Sequence, residues 1–481
     1  MNYTINGRKP ASVFRYFEEI CAIPHPSYHE EQIADYLVTF AKERNLEYYR
    51  DQMHNVLIKK PATVGCEDKP AILLQGHTDM VCEKNSDVQH DFSKDALRLF
   101  LEGEWLGAEG TTLGADDGIA VAIMLALLDG EIAAHPALEC LFTVAEEVGL
   151  NGAKEFDCSR LSARKMLNLD SEALGEITAG CAGGLRSDLT LPCKWIPFEG
   201  EALSVSVQGL MGGHSGADIH TGRANANKLM GRLLATLSQE MRVHLFSLEG
   251  GSKDNAIPRE CVARVSVLDS ERAKELLEAE RARIAGELIA EDGGFSVHTK
   301  RIEAPKQMLS WEDSRRAIAV LSCAANGVLE MSRDIDGLVE YSRNLGIVRT
   351  EDASLTFVFS CRSSMESRLD ASIAELNVLA SVTGCKTRHY NRYPGWNYTK
   401  ESALCQRYQA AYRDVMGEDA KVNVIHAGLE CGILYSRLPD LDIISIGPDM
   451  RDIHSPDERL NLASVERLWE ILERFFALCV Q

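Results

Sequence analysis

The sequence predicts an α/β protein with a mostly parallel central sheet, helices on both faces, and an inserted α+β domain. In residues 1–186, and again in residues 394–481, apolar strands alternate with helices, which is typical of parallel sheets covered on both faces. Residues 187–393 have a different texture, with alternating strands and charged helices. A chain of 481 residues, 45% of them hydrophobic, can fill two cores. We therefore expect a first domain that a second domain interrupts.

The first part of the chain begins with helices and continues with strands that end in acids. Residues 10–45 show helical periodicity in two blocks, split by a turn at 24–27, and a strand starts at Leu57. The further elements predicted here are a strand at 71–77, a polar loop or hairpin up to residue 110, a helix from residue 119, and strands at 138–144 and 165–169.

The middle part contains a similar order of elements twice. The first set is a strand at 202–209, a helix at 223–239, two strands between 243 and 267, a helix at 269–289 and a strand at 295–302. The second set is a helix at 311–325, strands at 338–350 and 354–361, a helix at 369–383 and a strand at 386–393. This order favours two duplicated α+β halves. The alternative is one irregular sheet of about eight strands.

The last part returns to the texture of the first. After the turn signal at 393–395, the sequence predicts a helix at 403–416, strands at 421–425 and 441–446, and a helix at 463–478. We therefore predict that residues 1–186 and 394–481 form one domain.

Composition excludes several classes of function. The chain has 72 acidic and 51 basic residues and a net charge of −21, which repels nucleic acids and anionic membrane surfaces. Its 14 cysteines are scattered without any Cys-x-x-Cys pair, which indicates reduced thiols and a cytoplasmic protein. The first residues do not resemble a signal peptide. The longest apolar run, 119–128, is too short to cross a bilayer.

A histidine and an aspartate stand at the end of the strand at 71–77. Residues two apart in an extended segment face the same way, so His77 and Asp79 lie together where α/β proteins keep their ligand sites. His77 can bind a metal through one ring nitrogen while Asp79 holds the ring from behind. A purely structural His–Asp pair is the alternative, so the metal interpretation depends on further ligands.

Further acids and a second histidine follow other predicted elements: Asp116, Glu146, Glu147, Asp170 and His454. Each alone can be a turn, a helix cap or a solvated loop residue, but those interpretations explain their joint occurrence badly. Imidazoles and carboxylates without thiols suit Zn²⁺, Co²⁺ or Mn²⁺, and suffice for two ions that share one carboxylate. In an acid pair such as 146–147, one member can bind metal while the other takes a proton from water.

These motifs resemble a known family. HTD, GADDG, the EE pair, NLDSE and IHSPDE, in order over essentially the whole chain, are similar to the M20 family of co-catalytic zinc peptidases, and most closely to its cytosolic dipeptidase branch. The resemblance implies a catalytic domain interrupted by a lid domain, and a cis peptide bond within the paired aspartates. It assigns His77, Asp116 and Asp170 to one zinc ion and Asp116, Glu147 and His454 to the other. Glu146 would be the general base, and Asp79 would orient the first histidine.

The resemblance also implies substrate-binding residues in and beside the lid. His214, in a glycine-rich loop, would donate a hydrogen bond to the scissile carbonyl oxygen. Asn255 and Arg362 would bind the substrate. The forked guanidinium group of Arg362 suits a dipeptide's free carboxylate. Gly428 lies in a stretch similar to one that approaches the substrate backbone. Structural roles, such as an ion pair for the arginine, are the alternatives.

The function predicted is metal-dependent hydrolysis of dipeptides with a free amino terminus, with Xaa-His dipeptides as candidate substrates. The cofactors expected are two Zn²⁺ ions per chain, which Co²⁺ or Mn²⁺ can replace. The partners expected are a small peptide and, compatible with the sequence, a second copy in a homodimer. A related tripeptide aminopeptidase or N-deacylase is the alternative enzyme. A non-catalytic binding protein on the same scaffold is a remote alternative, because the sequence retains every implied metal ligand.

Overall fold

The computed structural model of the protein describes residues 3–333, 335 and 337–481. The chain forms two compact units. The first contains the residues up to Cys181, Trp396–Val424 and Leu429–Gln481, and the second contains Ala182–Gly395 and Ile425–Gly428. The sequence predicts boundaries after residues 186 and 393 and does not distinguish residues 425–428 from their neighbours.

An eight-stranded sheet forms the centre of the first unit. Its strands, in spatial order, are Glu47–Arg50, Val56–Lys60, Leu138–Thr143, Ile72–His77, Lys165–Asn168, Asp442–Ser445, Glu176–Cys181 and Lys421–Ile425. The third to sixth of these run parallel to one another. The second strand is antiparallel to the first and to the third, and the seventh is antiparallel to the sixth. The predicted fold class is confirmed, with a mixed sheet that is parallel at its centre.

The first unit also contains helices, some of which pack directly on this sheet. They are Ala11–Cys21, Glu31–Glu43, Ala115–Asp129, Asn151–Glu155, Ala403–Met416, Glu430–Arg437 and Leu462–Cys479. The third helix, whose sequence after Gly118 is apolar on all sides, is buried along nearly its whole length. It shares one core with the first two and the last of these helices. Alternate strand residues such as Leu73 and Leu141 are also buried but lie outside that core, so both sheet faces are covered.

A small four-stranded sheet completes the first unit. Its strands, in order, are Met450–Arg451, Arg459–Asn461, Trp105–Ala108 and Leu99–Glu102. The last two form a hairpin in the segment that the sequence predicted as a loop or hairpin. The first two are antiparallel, so residues 452–458 form the loop that joins them. This loop carries His454.

The second unit is built on one antiparallel sheet of nine strands. In spatial order they are Ser296–Arg301, Glu201–Gln208, Cys261–Val267, His244–Gly250, Val339–Glu351, Ser354–Ser363, Gly183–Pro192 and Lys386–Tyr393, while Gly327–Met331 pairs with the fifth. Two short ladders join Trp195–Pro197 to Gln307–Leu309 and Gly213–His214 to Ala256–Ile257. The helices are Ala226–Glu240, Ser270–Ala285, Trp311–Cys323 and Glu366–Thr383. Strands from both predicted halves therefore lie in one sheet, as in the second alternative.

Parallel strands at the centre of the first unit bring the sequence motifs to one edge. Ile72–His77 lies between Leu138–Thr143 and Lys165–Asn168, and all three end at that edge. Because parallel strands end together, His77 comes close to the acids that follow its two neighbours. Gly76 permits this approach, since a Cβ atom there would lie 2.5 Å from a carboxylate oxygen of Asp117.

Candidate metal centre

The carboxylate of Asp116 faces two imidazoles. His77 Nε2 lies 3.1 Å from Asp116 Oδ1, and His454 Nε2 lies 3.1 Å from Asp116 Oδ2. The two histidines come from the central sheet and from the 452–458 loop, respectively. One oxygen of this carboxylate faces each imidazole, which is the arrangement expected of a carboxylate that bridges two metal ions.

Two further acids complete separate sets of ligand atoms around this carboxylate. His77, Asp116 and Asp170 form one set, and Asp116, Glu147 and His454 form another. In each set the ligand atoms lie within 4.8 Å of one another. The structure thus brings together the five residues that the sequence predicted as ligands. It also offers a third set, His77 with Glu147 and Glu146, in which the predicted general base takes a ligand position.

Asp79 holds the acid pair more closely than it holds the histidine. Its carboxylate accepts hydrogen bonds from the N–H groups of Glu146 (2.9 Å) and Glu147 (3.3 Å) and from the hydroxyl of Ser27 (2.7 Å). His77 Nδ1 lies 2.9 Å from the backbone carbonyl oxygen of Asp79 but 3.6 Å from the carboxylate. The ring is therefore oriented mainly by the carbonyl group, and the carboxylate orders the turn at residues 146–147.

The backbone is locally strained in the two loops that carry Glu146 and His454. Ala145 and His454 have φ angles of 50° and 59°, which are uncommon for residues with a Cβ atom. Glu30, which is buried, accepts a hydrogen bond from the Ala145 N–H at 2.9 Å and helps to hold that conformation. Residues held this way are concentrated at functional sites. A cis peptide bond joins Asp116 and Asp117, as the resemblance implies.

Burial and mutual repulsion raise the pKa of several acids here. Burial raises the pKa of Asp117, Glu146 and Asp170 well above their usual values, and neighbouring carboxylates add to the effect. Burial would also raise the pKa of Asp116, but hydrogen bonds from the two histidines lower it. Hydrogen bonds that His454 donates to Asp116 and Glu147 raise the pKa of His454 to about 10.

The donor set fits divalent metal ions. The cluster gathers buried and half-buried carboxylates in larger number than its two imidazoles can neutralise, and a dication would balance the excess negative charge. Nitrogen and oxygen donors without thiolate suit Zn²⁺, Co²⁺ and Mn²⁺. His77, Asp116, Asp170, Glu147 and His454 are the residues that would hold two ions.

His214 and Asn255, which the sequence predicted to bind substrate, are neighbours in the second unit. The strands Gly213–His214 and Ala256–Ile257 pair antiparallel, and the Ser215 N–H donates to the Asn255 carbonyl at 2.8 Å. His214 Nδ1 accepts from the N–H groups of the residues two and three positions later, at 3.3 and 3.1 Å. Because Nδ1 accepts, the ring carries its proton on Nε2 and can donate from there.

Arg362 and Gly428 both lie against Tyr393. Arg362 Nη1 donates to the Tyr393 hydroxyl at 3.0 Å, and a Cβ atom at Gly428 would lie 2.7 Å from the tyrosine ring. Arg362 is 6% exposed, yet its Nε atom has no hydrogen-bond partner within the described residues. Burial and the charge of Arg362 lower the pKa of His214. These observations group the four predicted lid-associated residues in one region of the second unit.

Sequence reasoning missed two residues of these sites. Glu458 accepts hydrogen bonds from four backbone N–H groups beside Asp116, and Tyr393 contacts Arg362. Glu458 belongs to the IHSPDE motif, but nothing in that motif indicates that its side chain reaches residues 113–116. In the sequence, Tyr393 belongs to the turn signal at 393–395, which does not indicate a contact with Arg362.

The comparisons with known sequences and structures agree on one family. Residues 205–291 match the M20 peptidase dimerisation domain. The chain is 39% identical over 467 residues to the cytosol non-specific dipeptidase of Escherichia coli, covering 96% of both chains. Its fold is similar to that of the aminoacylhistidine dipeptidase from Vibrio alginolyticus, with a TM-score of 0.91, 37% identity and coverage of 98% and 97%.

A more distant structure shares the fold alone. An aminopeptidase from Bacillus cereus aligns over 98% of this chain and 100% of its own, with a TM-score of 0.58 and 14% identity.

In the part of the chain that the structure describes, no helix has both the length and the apolar character needed to cross a membrane.

Proposed function

Because the chain belongs to the M20 family of metallopeptidases, and to its dipeptidase branch, we propose that it hydrolyses dipeptides with a free amino terminus at the Asp116 centre. The observation that carries this proposal is the Asp116 carboxylate, whose two oxygens each lie 3.1 Å from a different imidazole nitrogen. When bound, two divalent ions would polarise the scissile carbonyl group and lower the pKa of a water molecule.

The protein's own residues would move the proton and orient the ligands. Glu146, half-buried beside the proposed ligand Glu147, would take a proton from the attacking water and pass it to the leaving amine. Asp79 would hold Glu146 in place through the backbone N–H bond of 2.9 Å. His214 would donate from Nε2 to the carbonyl oxygen as negative charge develops on it.

Arg362 would bind the carboxylate of the substrate. A buried guanidinium group with an unpaired Nε among the described residues has a strong donor left for a ligand. Its fork can bind both oxygens of a carboxylate, which a dipeptide presents one residue from the scissile bond. This fixed distance would explain a restriction to short peptides. Asn255 and Gly428 would contact the substrate backbone.

We expect Arg362→Ala to raise KM for free dipeptides by about 10- to 100-fold, because a charge-assisted hydrogen bond is worth about 1.5–3 kcal/mol. Dipeptide amides, which lack the carboxylate, should show a KM change of less than about threefold. Steady-state kinetics with each dipeptide and its amide measures the difference. An equal loss for both substrate types would contradict carboxylate binding by this residue.

We expect the wild-type chain to bind two divalent ions, and the Asp170→Ala and Glu147→Ala variants to bind one each. Asp170 and Glu147 belong to different ligand sets, so each deletion should weaken one ion only. Elemental analysis after equilibrium dialysis against Zn²⁺ measures the stoichiometry. A wild-type chain that holds one ion at saturation would contradict the paired site.

A substrate panel separates the proposed activity from the related ones. Free dipeptides, including Xaa-His, should be cleaved, whereas tripeptides and N-acylated dipeptides should be poor substrates. Preference for acylated amines would indicate a deacylase, and preference for tripeptides would indicate a tripeptide aminopeptidase. The panel should be run with Zn²⁺, Mn²⁺ and Co²⁺ in parallel, because the proposed ion is Zn²⁺ and the other two suit the same donors.

We propose two Zn²⁺ ions as the resident cofactor, a cytoplasmic location and a small peptide as the only obligatory partner. The acidic net charge of −21 disfavours nucleic acids. The match of residues 205–291 to a dimerisation domain supports a homodimer as the assembly to test, by sedimentation or light scattering.

A further inference from the structure

Glu458 is a buried acid that the proposed mechanism does not use. It is 2% exposed and ends the loop at 452–458, four residues after His454. A buried carboxylate is costly unless it is fully hydrogen-bonded. The partners of Glu458 therefore indicate what its burial achieves.

The two carboxylate oxygens of Glu458 accept hydrogen bonds from four consecutive backbone N–H groups. Oε2 accepts from Leu113 at 2.7 Å and Gly114 at 3.1 Å, and Oε1 accepts from Ala115 at 2.8 Å and Asp116 at 3.3 Å. N–H groups at the start of a helix lack partners inside it, and Gly114, at the cap position, has no side chain to supply one. Glu458 supplies the cap from a distant part of the chain.

The 452–458 loop therefore contacts both the backbone and the side chain of Asp116. Glu458 accepts from the Asp116 N–H, and His454 Nε2 faces the Asp116 carboxylate. The loop is itself ordered, because the Glu458 N–H donates to the Ser455 carbonyl at 3.1 Å and the Ser455 hydroxyl donates to the Asp452 carbonyl at 2.7 Å. A shift of Glu458 would move the backbone of Asp116 relative to His454.

We propose that Glu458 is a positioning residue, which fixes the Asp116 carboxylate between His77 and His454 by capping the backbone that carries it. This inference rests on the proposed function, since it assigns Glu458 to the support of that metal centre. Both oxygens of the carboxylate accept hydrogen bonds from the backbone N–H groups of residues 113–116. It acts through the four N–H groups and through the loop that it shares with His454.

Glu458→Gln tests this role with little change in volume. The amide nitrogen of glutamine would face two backbone N–H groups, so two of the four hydrogen bonds become donor-to-donor contacts. We expect the affinity for Mn²⁺ alone, measured by equilibrium titration, to fall by about 10- to 100-fold. We expect kcat to fall by a similar factor, with little change in KM.

Glu139→Gln is the matched control. Glu139 is also 2% exposed, lies in the same unit, and accepts hydrogen bonds from the N–H groups of Ser162 and Ala163 at 3.1 Å, away from the ligand sets. The control should lower the unfolding temperature while leaving Mn²⁺ affinity and kcat within about twofold of wild type. Glu458→Asp, which keeps the charge, should show a smaller loss than Glu458→Gln and serves if the latter fails to fold.

The outcomes separate this inference from the proposed function. Unchanged Mn²⁺ affinity in both variants at position 458 would overturn the positioning role while leaving the metal centre intact. An equal loss in Glu139→Gln would also overturn it, because the effect would then reflect general destabilisation. Absence of Mn²⁺ binding in the wild-type protein would overturn the proposed function, and this inference with it.

Discussion

Glu146→Gln should lower kcat by about 10²- to 10⁴-fold while the chain still binds two divalent ions. A general base contributes about this much to a hydrolytic step, and glutamine cannot accept the proton. The change is nearly isosteric, and the backbone N–H of residue 146 would still donate to Asp79. KM should change by less than about threefold, because the lost interaction is made in the transition state. Steady-state kinetics and elemental analysis of the same preparation measure both quantities.

The neighbouring variant Glu147→Gln provides the comparison that assigns the two acids. Glu147 Oε1 lies 2.9 Å from His454 Nε2, so its loss should remove or weaken one ion. The third set of ligand atoms, His77 with both glutamates, allows the opposite assignment. If Glu146→Gln lost an ion while Glu147→Gln kept two, the roles would be exchanged. A Glu146→Gln enzyme within tenfold of wild type would rule out its role as base.

Local periodicity predicted the regular elements of the fold well. The helix Ala403–Met416 and the strands Lys421–Ile425 and Lys386–Tyr393 have the predicted bounds. These segments have clear apolar repeats and turn residues at their ends, so the sequence carries the information locally. The predicted helix at 269–289 is shorter in the structure, Ser270–Ala285, because it ends at the cap residue Gly286, whereas Leu288 and Ile289 extend the apolar pattern in the sequence.

The sequence does not predict two elements that contain glycine. The helix Glu430–Arg437 has only eight residues and contains Gly432, which is too little for a recognisable repeat. The strand Gly183–Pro192 begins with two glycines, which weaken a strand in isolation. A Cβ atom at Gly184 would lie 2.3 Å from the Tyr393 ring. Packing against a distant residue required the glycine, and no local pattern can reveal that.

The metal centre itself could be assembled only by resemblance. Asp116 and His454 are 338 positions apart in the sequence. The positions of acids at the ends of predicted strands indicate candidate ligands, but they do not indicate which carboxylate oxygen faces which imidazole. The carbonyl of Asp79 orients His77, whereas the sequence led to the carboxylate. Glu458 was missed because its function depends on four N–H groups, which have no residue signature.

His214→Ala should lower kcat by about 10²- to 10³-fold and change KM much less, if the ring donates to the carbonyl oxygen in the transition state. The two backbone N–H groups that bind Nδ1 leave Nε2–H as the donor, and the lowered pKa keeps the ring neutral at pH 7. His220→Ala is the matched control, because His220 is an exposed histidine in the same segment. That variant should retain full activity. An equal loss in both variants would point to disruption of the segment instead.

Mixing His214→Ala with Glu146→Gln tests whether one chain supplies the whole site. In short-lid members of the family, a partner subunit can supply the lid histidine. Here the second unit has nine strands in one continuous sheet from a single chain, including strands from both predicted halves. A second copy is then not needed to build that unit, and we expect the mixture to stay as inactive as its components. Each variant lacks one of the two proposed groups, so an intact site can form in the mixture only if chains exchange residues. Recovery of activity on mixing would show that sites are shared between subunits and would contradict the single-chain proposal.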